Sequence, residues 1–138
     1  MSLDVSLIRI KYVSYDMETF APENEELYWA NITHNLGKMA EKAGIYDALW
    51  RPYRLHKDYK HFDIYEDEIA FEESVTIYAK DIVKIVEKGL KKLIDKPDYY
   101  AKFNSPNVWG LYENFVPWIE RYLEALKKYP ESKVLVDR

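Results

Sequence analysis

A chain of 138 residues, 48% hydrophobic and 32% charged, has the size and residue supply of one globular domain. The absence of cysteine excludes disulfides, thiolate metal sites and cysteine nucleophiles, and fits a reducing cytoplasm. A net charge of −4 argues against the basic face of a nucleic-acid binder, and no run reaches the ~18 apolar residues of a membrane span.

The first twelve residues carry charges through their apolar positions and do not read as a signal peptide. Met1-Ser2-Leu3 reads as an appended start without structural weight. Residues 5–13 alternate imperfectly, with Ile8, Ile10 and Tyr12 on one face and Arg9 and Lys11 on the other, as in a half-buried strand. At the far end, Val134 and Val136 share a face after a stop at Pro130. A lone strand leaves its backbone groups unpaired, so the N- and C-terminal strands are expected to pair with each other.

The clearest helical pattern covers 24–43. Asn24 suits an N-cap, Glu25 and Glu26 suit the positive end of the dipole, and Lys42 suits the negative end. Trp29, Ile32, Leu36, Met39, Ala40 and Ala43 fall on one helical stripe, and Gly44 then supplies a left-handed cap backed by Ile45. After it, Ile45–Pro52 predicts a short turn or helical piece. Residues 54–74, with two histidines and seven acids, read as an insertion or irregular loop with a helical turn.

A second helix is predicted over 75–95, with Ile82, Val86, Leu90, Leu93 and Ile94 inward and five lysines on the rest of its surface. Residues 97–103 suit a short helix with Pro97 in its first turn. A third main helix covers 110–129, on the stripe Leu111, Phe115, Trp118, Ile119, Tyr122 and Leu126, with Pro117 kinking it or delaying its start. The expected fold is therefore α+β and predominantly helical: three main helices and shorter ones around one aromatic core, with the terminal strands paired. The aromatic content of 16%, including 13 Tyr and 4 Trp, suits either an interface or a small core built from large pieces, and the core is the simpler reading.

Within 24–43, Asn31, His34 and Asn35 recur at helical spacing. Asn forms helices poorly, and a mid-helix Gly37 costs roughly 1 kcal/mol against Ala, so both suggest a polar patch approached closely by something else. Asn31, His34, Asn35, Gly37 and Lys38 are thus the candidate ligand- or partner-binding residues. The plainer alternative is a solvated helix face with Asn35 bonded to a nearby loop. His34 has no acid at i+3 or i+4, and no nucleophile elbow, phosphate loop, dinucleotide fingerprint or HExxH pattern is present. No catalytic residue, cofactor or metal site is assigned. His56, His61 and the acids at 63–68 match neither a zinc pattern nor an EF-hand. Trp50 and Trp109 are expected to close the ends of the core, with Gly110 in a tight turn.

Three segments carry a resemblance: NITHNLGKMAEKAGIYDALWRP (31–52), NSPNVWGLYENF (104–115) and KVLVDR (133–138). They are similar to a family of small proteins associated with bacteriophages and prophages, with 53–74 as the segment of departure. The resemblance implies a bacterial or phage context and a cytoplasmic location, and implies no activity. The functional expectation is a non-enzymatic accessory or protein-interaction module that binds a protein partner or itself. The alternative is a small enzyme or ligand-binding protein that uses Asn31, His34 and Asn35. Nucleic-acid binding ranks third, and no membrane role is expected.

Overall fold

A computed structural model of the chain describes residues 2–61 and 67–138. It corrects the expected fold at its first main element. Residues 24–33 are not helical: they belong to strand β2 (Phe20–Thr33), which forms a long antiparallel hairpin with β1 (Ser2–Ser14). Strand β3 (Lys133–Asp137) lies on the other side of β1, giving the order β2-β1-β3 among the described residues. The sheet, rather than a first long helix, organises the N-terminal quarter.

The physical reason lies in pairing that a local pattern does not see. Leu3, Val5 and Leu7 face Ile32, Ala30 and Tyr28 across the ladder, and all three β1 residues are fully buried. A helix over 24–43 would strand these positions without partners, and burial in tertiary context overrides modest local propensity. The helical stripe was a coincidence of spacing. Ile32 sits on the inner face opposite Leu3, whereas Trp29 sits opposite Ser6 on the outer face and is half exposed. Asn24 caps nothing; it lies opposite Ile10 in the ladder. Leu3 is a core residue, so the opening residues do carry structural weight.

Helix survives only in the second half of that segment. A tight turn at His34–Leu36 leads into α1 (Gly37–Lys42). Gly44, at φ +77°, ends it, with its N–H on the Glu41 carbonyl and the Ile45 N–H on that of Ala40. Helix α2 (Tyr46–Trp50) follows, then tight turns at Pro52–Leu55 and Tyr59–His61 and helix α3 (Glu68–Ser74). Residues 62–66, which include Asp63 and Glu66 of the acidic segment, lie outside the described residues.

The two long helices are α4 (Ala79–Asp95) and α6 (Tyr112–Lys128), joined through the short α5 (Pro97–Ala101). Helix α4 buries Ile82, Val86, Leu90 and Leu93 at helical spacing; Ile94 is half exposed instead of inward. Residues 75–78 are not helical, and the Ile77 carbonyl accepts the Val134 N–H, extending the sheet edge beyond β3. Helix α6 buries Phe115, Trp118, Ile119, Tyr122 and Leu126 and holds Pro117 within its length. Gly89 lets α4 close on the turn after α1: a Cβ there would overlap the Ile45 side chain. The result is two layers, helices on the inner face of the sheet, around a shared buried cluster.

Candidate functional site

The five residues singled out in the sequence divide between two places. Asn31, Thr33, His34 and Asn35 line an open cleft of ≈ 760 Å³ with Ser2, Ile32, Asn107 and Trp109. They converge because β2 turns sharply into the His34–Leu36 turn, and not because they share a helix face. Thr33 Oγ1 fixes that turn by accepting the Asn35 N–H at 3.2 Å. Gly37 and Lys38 fall outside the cleft lining; a Cβ at Gly37 would lie 3.5 Å from the Tyr46 ring, and Lys38 is exposed.

His34, Asn35 and the Asn31 backbone each have structural work. The His34 Nδ1 accepts the Trp50 indole N–H at 2.9 Å, and Trp50 is itself buried and stacked on Tyr46. An accepting Nδ1 leaves the neutral ring its proton on Nε2, so the exposed nitrogen is a donor and not a base. Asn35 Nδ2 donates to the Trp109 carbonyl at 2.7 Å, and Gly110, at φ +119°, packs so closely that a Cβ would lie 2.9 Å from that of Asn35. The Asn31 carbonyl accepts the Trp118 indole N–H at 2.9 Å, which ties the end of β2 to α6.

No carboxylate lines this cleft among the described residues, so an acid–base partner for His34 is not in place. Its rim is nevertheless unusual. Val108 holds φ +60°, a strained conformation for a β-branched residue, and Trp109 beside it is two-thirds exposed instead of closing the core.

A larger feature was missed. Along β1 the apolar positions change phase: Leu3, Val5 and Leu7 point inward, then Ile8, Ile10 and Tyr12 point outward. A bulge at Leu27 of β2 accommodates the change of register on the partner strand. Beyond it, the side of the hairpin that would face the core carries Arg9, Lys11, Glu23 and Glu25, with Arg9 Nε on Glu25 Oε2 at 2.6 Å. That pairing raises the Arg9 pKa and lowers that of Glu25.

The opposite side of this arm carries Ile10, Tyr12 and Phe20 with Asn24 and Glu26 beside them, and none of the described residues covers it. Ile10, Tyr12 and Phe20 are 44%, 70% and 64% exposed, and Met17 at the tip is 98% exposed. Trp29 and Leu135 continue the same face onto the body of the sheet, one on each side of Ser6. At its base the face meets a groove of ≈ 560 Å³ lined by Ile8, Ile69, Val75, Ile77 and Leu135. The phase change was legible in the sequence, because two apolar triplets of opposite parity abut at Leu7-Ile8.

Glu68 and Glu72 are engaged away from the lysines of α4. Glu68 accepts from Tyr53 Oη at 2.7 Å and from Arg54 and Tyr59, and Glu72 binds Arg138 through both oxygens. These bonds hold the Glu68 carboxyl below the usual range, Tyr53 contributing most. Glu87 of α4 pairs with Lys127 of α6 at 2.6 Å instead of supporting its own helix. Among the described residues no three His, Asp or Glu side chains are grouped to hold a metal ion, and no helix is long and apolar enough to cross a membrane. Comparison with known protein families, curated proteins and solved structures finds no match.

Proposed function

We propose that the chain is a protein-interaction module whose working surface is the outer face of the hairpin arm. The observation that supports this reading is the inverted arm: its charged side faces the body's side of the sheet, and the side bearing Ile10, Tyr12 and Phe20 faces outward with none of the described residues covering it. A two-stranded hairpin without cover on an apolar face is marginal in water, and exposed apolar patches of this extent mark binding surfaces. The phage and prophage resemblance would set such a module in a bacterial or phage context.

The test is recovery of a complex by the affinity-tagged chain expressed in its host cell, an untagged copy of the chain counting as a partner. Tyr12→Lys combined with Phe20→Lys is expected to abolish recovery, and the triple Asn31→Ala, His34→Ala, Asn35→Ala to leave it intact. Loss with the triple variant alone would transfer the function to the cleft.

One observation favours a second reading, a small-ligand site in the cleft. The exposed Trp109, next in sequence to the strained Val108, lines it, and Asn31, His34 and Asn107 line it too. Screening small polar compounds by NMR would show shifts concentrated at Trp109 and His34 if this reading holds, and none there if it does not.

A further inference from the structure

We infer that the occupant of the arm's outer face is a second copy of this chain, in a two-fold clasp of antiparallel arms with each tip over the other's groove. The inference rests on the interaction reading above and names its partner.

Three features point to self-association. First, the surface is self-complementary along its length. One end projects large apolar side chains, Tyr15, Met17 and Phe20, and the other end of the same face opens into the apolar groove at Ile8, Ile69, Val75 and Ile77. The strand from Ile8 to Ser14 spans about 20 Å, so antiparallel arms of two copies bring each tip to the other's groove. An isologous two-fold contact requires this pairing of unlike ends within one surface.

Second, the area suffices. Ile10, Tyr12, Tyr15, Met17, Phe20, Trp29 and Leu135 are each exposed by 44% or more. At the usual size of such side chains they offer on the order of 700 Å² per copy, and twice that falls within the range of stable interfaces. A single small ligand would cover only a fraction of it.

Third, charge favours antiparallel over parallel arms. Asp16 and Glu18 at the tip would approach Lys133, which lines the groove. Of the two groove acids, Glu72 is already bound through both oxygens by Arg138, and Glu73 remains. Parallel arms would instead set tip acids on tip acids.

Sedimentation velocity of the untagged full chain, from low to high micromolar concentration, tests the inference. The expected result is a concentration-dependent species of twice the 16.5 kDa chain mass. Tyr12→Lys with Phe20→Glu should weaken it by roughly tenfold or more, since central aromatics carry most of such interfaces. Circular dichroism should show the variant still folded, because both side chains are exposed. As a check on geometry, Met17→Cys and Ile69→Cys, made singly in this cysteine-free chain and mixed under mild oxidant, should form a mixed disulfide. A chain that stays monomeric throughout, or a dimer indifferent to the arm substitutions, overturns the second-copy proposal. A monomeric chain that still recovers a different protein through Tyr12 and Phe20 leaves the interaction reading standing; loss of both removes it too.

Discussion

The two halves of the hairpin share strands, ladder and turn, yet one is a wall of the core and the other an uncovered arm. In the half nearest the helices, Leu3, Val5 and Leu7 are fully buried against the cluster that includes Phe115, Ile119 and Tyr122. In the distal half no residue from 9 to 26 is buried. Strand formation alone therefore fixes neither burial nor stability. What separates the halves is the phase of the apolar positions, which reverses at Leu7-Ile8. The same alternation that seats the first half on the helices leaves the apolar residues of the second half exposed.

The largest expected contrast comes from truncating one residue in each half. Leu7→Ala should destabilise the fold by roughly 2–5 kcal/mol, as for other fully buried leucines. Tyr12→Ala should stay within about 0.5 kcal/mol when the chain is diluted to the monomer. Urea denaturation measures both, and a large cost for Tyr12→Ala would show that the arm is covered by its own chain.

The packed half has a tighter limit at Gly89. Alanine normally gains about 1 kcal/mol over glycine inside a helix. Here the added methyl meets Ile45, so Gly89→Ala should instead cost about 1–3 kcal/mol by overpacking. A gain in thermal stability would mean that α4 does not close on that turn.

Tyr122 sharpens the contrast in the opposite direction. Its ring is fully buried beside Tyr28, and its hydroxyl has no hydrogen-bond partner among the described residues. Burial pushes its pKa well above the ordinary phenol value. Tyr122→Phe should therefore raise stability by about 1 kcal/mol, through loss of an unsatisfied buried group. A drop in melting temperature would reveal a partner for that hydroxyl.

The smallest effect belongs to the arm's turn. Asp16 Oδ1 accepts the N–H groups of Glu18 and Thr19 at 2.8 and 2.6 Å, and these bonds hold its carboxyl below the usual range. Its ionised form is thus the one bound in the folded turn. The contribution is complete above the unfolded carboxylate pKa of about 4 and fades as pH falls through the lowered folded value. Amide shifts of Glu18 and Thr19 followed by NMR below pH 4 should report loosening at the tip, while Leu7 amide signals stay fixed. Simultaneous change in both halves would contradict the independence of the arm.

The sequence is legible where burial follows a period within a single element. Ile82, Val86, Leu90 and Leu93 mark α4, Phe115 to Leu126 mark α6, and Gly44 marks the end of α1. It misleads at 24–33, where Trp29 and Ile32 keep helical spacing although they face opposite sides of a sheet. That error arises because a hairpin's stability is non-local: it depends on what β1 offers thirty residues away. For the patch, residue types were enough to bring Asn31, His34 and Asn35 to notice, but the convergence came from a strand-to-turn corner and from loop 104–111, neither visible as periodicity. The aromatic excess divides in the same way: Trp50, Tyr100, Phe115 and Tyr122 fill the core, while Tyr12, Tyr15, Phe20 and Trp29 line the outer face and tip.

The claim that the arm's outer face is covered in the cell is tested most directly by photo-crosslinking in vivo, with a photoreactive residue replacing Tyr12 in one strain and Lys11 in another. These adjacent positions lie on opposite sides of the same strand. The account predicts a discrete protein adduct from position 12 and little from position 11. Equal adducts from both sides, or none from position 12, would contradict it.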